Sequence, residues 1–164
     1  MSSDFSPALT DGARQLHLEF SPVQQQLLLD YLALLHKWNR AYNLTAVRDP
    51  AQMLNRHLLD SLSIASLVQG QRVLDVGTGP GLPGIPLAIL FPERQFELLD
   101  SNGKKTRFLI EARAQLGLRN VEVHCDRVEA LCDERGFDAI TSRAFASLAD
   151  MAQGGEHLLA PGGK

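Results

Sequence analysis

The sequence is poor in the residues that build disulfides, metal sites and membrane spans. Its two cysteines, Cys125 and Cys132, match neither a zinc motif nor a disulfide framework, so we expect reduced thiols. The five histidines form no H-x-x-x-H motif and no Cys/His cluster, so we expect no metal. No run of about 18 apolar residues exists, which predicts no membrane span. Residues 1–5 lack the basic start and apolar core of a signal peptide, so we expect a cytoplasmic protein.

A net charge of −3 argues against a uniformly basic nucleic-acid binder, but the basic residues are clustered. One segment, residues 36–57, holds four basic residues and two large aromatics: Lys37, Arg40, Arg48, Arg56, Trp38 and Tyr42. The second segment holds Lys104, Lys105, Arg107, Arg113 and Arg119. Basic residues interleaved with aromatics are typical of RNA contact. The alternative, a solvated helix face, would be the better explanation of either segment alone.

The first seventy residues carry helical signals. Ser21-Pro22-Val23-Gln24 combines a capping serine, a proline in the first turn and a glutamine that closes a capping box. Apolar residues then recur at helical spacing: Leu27, Tyr31, Leu34, Leu35, Trp38 and Tyr42. A second start, Asp49-Pro50, begins a second helix that Gly70 stops, with the apolar stripe Leu54, Leu58, Leu62 and Ala65. We therefore expect residues 1–70 to form an N-terminal helical region.

Beyond residue 70 the pattern changes to alternating strands and helices. The expected strands are 72–76, 96–100, 121–123 and 137–141. The expected helices are a proline-interrupted one that ends near residue 91, one at 104–116, a short turn or helix at 128–131, and one at 148–159. This alternation predicts an α/β domain over residues 71–164, with a parallel sheet.

The most informative stretch reads VLDVGTGPG from residue 73. An apolar run typical of a buried parallel strand leads into three alternate glycines: Gly77, Gly79 and Gly81. Glycine has no Cβ, so this backbone can turn tightly and lie against a ligand. A strand that ends on such a loop is typical of nucleotide-like cofactor sites in doubly wound folds. Asp75, two residues before the first glycine, favours a positively charged cofactor over a pyrophosphate.

The same loop supports two other interpretations. Residues 79–84 satisfy G-x-G-x-x-G, the dinucleotide fingerprint, which would indicate a nicotinamide-dependent oxidoreductase. Pro83 and Pro86 crowd the helix start that this fingerprint needs for phosphate, and they count against it. A tight loop without a ligand is the other alternative, although few plain loops are so rich in glycine.

Polar residues follow the strands where they end, and the carboxyl ends of parallel strands form the ligand-binding edge of such sheets. Asp100 ends strand two, about twenty residues beyond the glycines, where an acid bonds ribose hydroxyls. Asp126-Arg127-Val128-Glu129 follows strand three, and Ser142-Arg143 follows strand four. Other roles stay open: Asp100 or Ser101 could cap a helix, Glu129 could be a surface residue, and Arg143 could form a structural ion pair.

These residues resemble a known family. The stretch VLDVGTGPGLPGIPLA, residues 73–88, is similar to motif I of the bacterial small-subunit rRNA guanine-N7 methyltransferases, the glucose-inhibited division protein B family. Further matches are Trp38–Thr45, Arg56–Leu62, Leu98–Ser101 with Lys104 and Lys105, Arg127–Glu129 and Ser142–Leu148. The resemblance runs from about residue 25 to the end, and its most specific parts are GLPGIP and SRAFASL.

The resemblance implies a class I methyltransferase with a Rossmann-like sheet and an N-terminal helical extension. Its methyl donor would be S-adenosylmethionine. Its target would be N7 of one guanosine of 16S rRNA near the decoding site, in free rRNA or in the small ribosomal subunit. Carried over residue by residue, the cofactor contacts are Gly77, Leu82, Val128, Glu129 and Arg143. The roles usual in class I enzymes add Asp75, Gly79 and Asp100.

Guanine N7 carries a lone pair and no proton, so its methylation needs no general base. We therefore expect no catalytic side chain, and we expect catalysis to rest on positioning and exclusion of water. We also expect a monomer.

The end of the chain departs from the family pattern. The resemblance implies a seven-stranded sheet in the order 3-2-1-4-5-7-6, but only four strands can be identified here, for which we expect the order 3-2-1-4. Pro161-Gly162-Gly163 is a turn that should lead into another strand, so we expect a C-terminally truncated chain with strand four at an uncovered edge. A non-catalytic module that binds rRNA or assists assembly, with a vestigial site, is therefore kept as an alternative to the enzyme.

Overall fold

The computed structural model describes residues 5–142 and 156–163, and its centre is a parallel sheet of four strands. The strands are β1 (Arg72–Val76), β2 (Gln95–Asp100), β3 (Val121–Cys125) and β4 (Ala139–Thr141). Their order is β3-β2-β1-β4, which confirms the predicted order. Val76 pairs with Leu99, and Asp100 pairs with Cys125, so the ends of the first three strands lie side by side.

The α-helices are α1 (Ser6–Gln15), α2 (Pro22–Tyr42), α3 (Pro50–Met53), α4 (Asp60–Leu62), α5 (Gly84–Leu90) and α6 (Gly103–Leu116). The start of α2 is the predicted capping box, since Ser21 and Gln24 each accept a hydrogen bond from the other's backbone amide. It ends where Asn43 adopts the left-handed conformation, with φ of 52°. Helix α1 was not predicted. None of the helices in the described ranges has the length and apolar character that crossing a bilayer requires.

The second predicted helix is interrupted. A π-helix, Leu54–Leu59, lies between α3 and α4, and a 3-10 turn, Ala65–Leu67, follows α4. The prediction of one regular helix from Pro50 to Gly70 is therefore wrong. The wider π turns still bury Leu54 and Leu58. The apolar spacing predicted that these residues are buried, and that part of the prediction is confirmed.

The N-terminal helices and the sheet share one hydrophobic core. On one face of the sheet, Val73 and Phe96 pack in the same buried cluster as Leu28, Leu35 and Leu58 from the helical region. The tilted rings of Tyr31 on α2 and Phe108 on α6 have centroids 6.4 Å apart. The helical region is thus attached to the sheet through buried side chains, and its loops are held in fixed positions near the strand ends.

The opposite face of the sheet carries a smaller buried cluster: Leu74, Val76, Leu99, Val128, Phe137 and Leu158. Phe137 was predicted to begin strand four, but β4 begins at Ala139. Phe137 instead forms a parallel bridge with Leu159, in which its amide donates to Leu158 O at 2.6 Å and its carbonyl accepts from Ala160 N at 2.7 Å.

This bridge corrects two predictions. The helix expected to run to Leu159 is wrong over its last residues, because Glu156–Leu158 is a 3-10 turn and Leu159 is extended. The part of that helix before residue 156 lies outside the described residues. In addition, the outer side of the β4 segment is not fully uncovered, because Leu159 pairs beside it at Phe137.

Candidate cofactor and substrate site

The loop after β1 needs glycine at three positions. Gly77, Gly79 and Gly81 have φ values of 63°, 60° and 99°, which side chains with a Cβ rarely adopt. Thr78 fixes the loop to β2, because its amide donates to Leu99 O at 3.1 Å. The loop is therefore a defined turn over the sheet edge, in which Gly77 and Pro80 are half-buried and the residues between them are buried.

Asp75 lies beneath this loop and is completely buried. One carboxylate oxygen accepts hydrogen bonds from Thr78 Oγ1 at 2.7 Å and from Gly84 N at 2.8 Å, and the other accepts from Thr141 Oγ1 at 3.2 Å. Asp75 thus joins β1, the loop, α5 and β4. A buried carboxylate bonded in this way shapes the loop, and direct contact with a cofactor stays a prediction.

Asp100 joins the end of β2 to the glycine loop. Its Oδ2 accepts from Gly79 N at 2.9 Å, and its Oδ1 accepts from Asn102 N at 2.8 Å. The cap of α6 is Asn102, whose side chain accepts from the amides of Lys104 and Lys105, so the capping role considered for Asp100 or Ser101 belongs to Asn102. Asp100 is 9% exposed and borders a cavity, which leaves its carboxylate at the edge of a ligand space.

We call this space the sheet cavity. Its volume is about 300 Å³, and it lies over the ends of β1, β2 and β3. Its lining residues are Val76, Gly77, Leu99, Asp100, Ser101, Lys105, Asp126, Arg127, Val128 and Glu129. Four of the predicted cofactor residues, Gly77, Asp100, Val128 and Glu129, therefore border one cavity.

A second space, which we call the loop cavity, lies on the other side of Gly77. Its volume is about 260 Å³, and it is enclosed between the glycine loop and the helical region. Its lining residues are Leu44, Thr45, His57, Gly77, Thr78, Gly79, Pro80, Leu82 and Lys105. The predicted site residues Leu82 and Gly79 lie here rather than in the sheet cavity. Gly77 and Lys105 border both cavities, so the two spaces adjoin.

Arg143, the remaining predicted site residue, lies outside the described residues. Sequence reasoning assigned no role to Thr45 or His57, although both lie within the stretches that carry the family resemblance. Their side chains meet in the structure, with Thr45 Oγ1 2.7 Å from His57 Nε2. Twelve residues separate them along the chain, so only the fold shows the contact.

A larger cavity, of about 530 Å³, lies at the opposite end of the sheet beside Arg72 and Gln95, where β1 and β2 begin. Its size does not make it the better candidate, because ligands of open parallel sheets bind beyond the carboxyl ends of the strands. Its lining includes no glycine among the described residues, whereas glycines of the loop after β1 line both cavities at the carboxyl ends of the strands.

A network of ion pairs lies near this larger cavity. Arg72 Nη2 lies 2.8 Å from Glu97 Oε2 and 2.8 Å from Asp133 Oδ2, and His124 Nε2 lies 2.8 Å from Glu97 Oε1. The hydrogen bond from Arg72 lowers the pKa of Asp133 to about 2. The hydrogen bond to Glu97 raises the pKa of His124, and the pKa of Glu97 is lowered because His124 and Arg72 together outweigh the effect of its burial.

Glu122 approaches this network, and one ligand atom each from Glu97, Glu122 and His124 lie within 4.8 Å of one another. Three such groups could hold a metal ion. However, both oxygens of Glu97 already accept hydrogen bonds from Arg72 and His124, so the arrangement is that of a structural ion-pair network.

The strand order, the glycine loop after β1 and the acid at the end of β2 define the Rossmann-like fold of class I methyltransferases. Solved structures agree. The chain resembles a SAM-dependent methyltransferase from Aquifex aeolicus, with a TM-score of 0.56, 22% identity, and 76% of this chain and 66% of that chain covered. It also resembles a SAM-dependent methyltransferase from Geobacter sulfurreducens in complex with S-adenosyl-L-homocysteine, with a TM-score of 0.53, 17% identity, and 80% and 52% of the two chains covered.

Sequence comparison identifies the family. The model of the rRNA small subunit methyltransferase G family matches residues 24–164, and the chain belongs to this family. Ribosomal RNA small subunit methyltransferase G of Hydrogenovibrio crunogenus is 64% identical over 136 residues, covering 83% of this chain and 63% of that protein. The protein of the same name from Ectopseudomonas mendocina is 59% identical over 152 residues, covering 92% and 71%. The chain thus spans 63% of the length of the first of these relatives and 71% of the length of the second.

Proposed function

We propose that this chain binds S-adenosylmethionine in the sheet cavity and transfers its methyl group to N7 of a guanosine in small-subunit rRNA. The observation that carries the proposal is the bond from Gly79 N to Asp100 Oδ2 at 2.9 Å, which brings a glycine turn and an acid together at the strand ends. Family membership supports the reaction, because the relatives are named as methyltransferases of small-subunit rRNA. A ribosomal RNA substrate would also mean that the protein acts in the cytoplasm.

The residues of the sheet cavity fit the parts of this cofactor. Asp100 and Glu129 are acids at the ends of adjacent strands, and carboxylates in that position bond ribose hydroxyls. Val128 is 7% exposed and offers an apolar surface for a flat base. Gly77 brings backbone close to the ligand without a side chain. Direct contacts from Leu82, Gly79, Asp75 and Arg143 remain part of the proposal.

The reaction requires the protein mainly to position the cofactor and the acceptor base. The sulfonium is an activated electrophile and N7 already carries a lone pair, so no proton has to be removed. Holding two reactants in line can lower a barrier by about 7–11 kcal/mol. As the methyl group moves, positive charge passes from sulfur to the purine, and nearby carboxylates act on it electrostatically.

The surface around the cavities offers cations and an aromatic ring for RNA. Lys104 and Arg107 are exposed in the first turns of α6, next to Lys105, which borders both cavities. Tyr42 at the end of α2 is 47% exposed, and its ring centroid lies 5.1 Å from that of Trp38. Exposed cations bind phosphates, and an exposed aromatic ring supported by another can stack with a base.

The oxidoreductase interpretation loses its main support in the structure. The last glycine of its fingerprint, Gly84, donates its amide to Asp75 at 2.8 Å, so that amide is already engaged within the protein. A phosphate at this helix start would lie beside a buried carboxylate.

The test is transfer of tritium from labelled S-adenosylmethionine to 16S rRNA and to small ribosomal subunits. Wild-type protein should label at least one of these substrates. Asp100→Ala in the sheet cavity should lose most of the activity, and Glu93→Ala at the larger cavity should keep it. Binding of rRNA that does not depend on the cofactor and leaves no label would instead support the non-catalytic module. Loss of activity in Glu93→Ala alone would contradict the proposal, because it would place the site at the larger cavity where β1 and β2 begin.

A further inference from the structure

The loop cavity adjoins the sheet cavity, shares Gly77 with it and is also lined by Gly79 and Leu82, and buried contacts fix both of its walls. One wall is the glycine loop, and the other is formed by Leu44, Thr45 and His57 of the helical region. Asn39, 2% exposed on α2, holds this second wall: its Oδ1 accepts from Thr45 N at 2.8 Å and its Nδ2 donates to Val47 O at 3.2 Å. The buried Asn39 amide bonds the backbone of Thr45 and of Val47, so it fixes the position of Thr45.

The glycine loop is held from the same side. Tyr31 on α2 is 1% exposed, and its hydroxyl donates to Pro80 O at 2.7 Å. Thus α2 positions both walls of the loop cavity, one through Asn39 and the other through Tyr31. A cavity whose two walls are both fixed by buried side chains of one helix keeps its shape, which suits the recognition of a rigid ligand.

The lining combines apolar surfaces with a polar pair. Leu44, Pro80 and Leu82 supply apolar contact, and Thr45 Oγ1 lies 2.7 Å from His57 Nε2. Thr45 Oγ1 also accepts from Val47 N at 3.3 Å. A hydroxyl offers one donor and two acceptor positions, so these contacts use two of three, and one position remains for a ligand among the described residues. Apolar walls with a hydrogen-bonding edge are what enzymes use to hold a base taken out of an RNA strand.

The position of the loop cavity relative to the sheet cavity gives it a role. Both are bordered by Gly77 and Lys105, so a group bound in one lies next to a group bound in the other. Methyl transfer needs the accepting atom close to the methyl group, about 3–3.5 Å away and in line. A donor on one side of Gly77 and an acceptor on the other would be neighbours, as this reaction needs.

We propose that the loop cavity receives the acceptor base, a purine turned out of the RNA, and that the hydroxyl of Thr45 bonds the edge of this base. His57 is a positioning residue that orients the Thr45 hydroxyl. This inference rests on the proposed function, because it names the substrate side of the same reaction.

The test is Thr45→Val in the full chain, a change that keeps the shape of the side chain and removes its hydroxyl. We expect kcat for methyl transfer to fall about tenfold or more, because a base edge would be left without its partner. Affinity for S-adenosylmethionine by calorimetry, and for rRNA by filter binding, should stay within about twofold of wild type, since most RNA affinity comes from phosphates. Thr45→Ser restores the hydroxyl and should recover most of kcat. His57→Gln should lower kcat without changing cofactor affinity.

Two comparisons separate the possible outcomes. Thr10→Val on α1 is the matched control, because the Thr10 hydroxyl bonds Ser6 O at 2.9 Å far from both cavities, and this variant should keep full activity. If wild-type protein neither binds the cofactor nor transfers a methyl group, the proposed function fails. If wild type is active and Thr45→Val matches it in kcat, the loop-cavity inference alone is wrong.

A second measurement covers the case in which Thr45→Val does not fold. Guanosine 5′-monophosphate is titrated into wild-type protein saturated with S-adenosylhomocysteine, and the NMR signals of Thr45 and Leu82 are followed. We expect these signals to shift with increasing nucleotide. Shifts confined to residues of the sheet cavity such as Asp126, or no shift at Thr45, would overturn the inference.

Discussion

The carboxylate of Asp100 and the amide of Gly79 form a hydrogen bond of 2.9 Å that connects the end of β2 to the glycine loop after β1. The two residues are 21 positions apart in sequence and border adjoining cavities. The same carboxylate accepts from Asn102 N at 2.8 Å, so it also holds the start of α6. Asp100 therefore stabilises the loop and the start of α6, and it also borders the sheet cavity.

Asp100→Asn is expected to weaken binding of S-adenosylmethionine by about 1–3 kcal/mol, the usual value of hydrogen bonds to a charged group. The amide loses the charge and leaves one of two backbone donors without an acceptor, so the melting temperature should fall as well. Calorimetric titration and thermal unfolding measure the two effects. Asp126→Asn, an exposed change in the same cavity, is the control and should alter affinity less. Wild-type affinity in Asp100→Asn would remove Asp100 from the cofactor site.

Gly84→Ala is expected to destabilise the fold. A Cβ at this position would clash with Leu98 Cδ2 and would lie 2.8 Å from Asp75 Oδ2, so buried groups would have to move. Overpacking of this kind costs about 1–3 kcal/mol. Gly103→Ala at the start of α6 is the matched control, since nothing lies within 4 Å of its Cβ. Urea unfolding should show the decrease in stability for Gly84→Ala only, and equal stabilities for the two variants would contradict the tight packing between α5 and β1.

The His124–Glu97 pair should make stability depend on pH. The hydrogen bond to Glu97 raises the pKa of His124, so its contribution is fully present below its ordinary value of 6.5 and is lost as pH rises through the raised value. The pKa of Glu97 is lowered from 4.5, so its contribution is present above 4.5 and is lost as pH falls through the lowered value. Both contributions are therefore present between 4.5 and 6.5.

The change His124→Gln removes the charge and keeps a donor. Its cost in unfolding free energy should be larger near about pH 6 than near about pH 9, as followed by urea unfolding at each pH. In a Glu97→Gln background the same change should show a much weaker trend, because the partner carboxylate is gone. A cost that grows with rising pH would contradict the assignment.

RNA binding should depend steeply on salt. Replacing Lys104 and Arg107 with glutamine is expected to reduce the slope of log affinity against log salt by about 0.7–0.9 for each phosphate that is no longer neutralised. This pair is chosen because Lys105 borders both cavities and would disturb the cofactor as well. Arg14→Gln with Arg135→Gln removes two exposed cations outside both basic segments and should leave the slope unchanged. Equal slopes for the two double variants would show that Lys104 and Arg107 form only a solvated face.

The features that could be predicted from the sequence are those encoded in short stretches. The capping box at Ser21, the alternation of strands and helices, and the glycine loop each depend on neighbouring residues, whereas the sheet order was implied by the family resemblance. Asp100 could be placed at the ligand edge because parallel strand ends meet there. Its bond to Gly79 could not be foreseen, since it depends on where the loop turns.

The features that were missed depend on interactions between distant segments. Phe137 pairs with Leu159 across 22 positions, and no local pattern indicates that these two residues pair. The second helix is interrupted by a π segment, yet Leu54 and Leu58 stay buried there. The apolar stripe therefore gave no sign of the interruption. The loop cavity exists because buried Asn39 and Tyr31 hold two separate loops, and polar residues on an apolar helix do not by themselves indicate such an arrangement.

The most direct test of the proposed function is chemical identification of the methylated nucleoside after reaction. Small ribosomal subunits or 16S rRNA lacking the modification are incubated with S-adenosylmethionine and the protein, digested to nucleosides, and separated with mass detection. We expect 7-methylguanosine to appear, in an amount that saturates at one per rRNA, and not to appear with Asp100→Ala. A different methylated nucleoside, or none from protein that binds the cofactor, would contradict the proposed function.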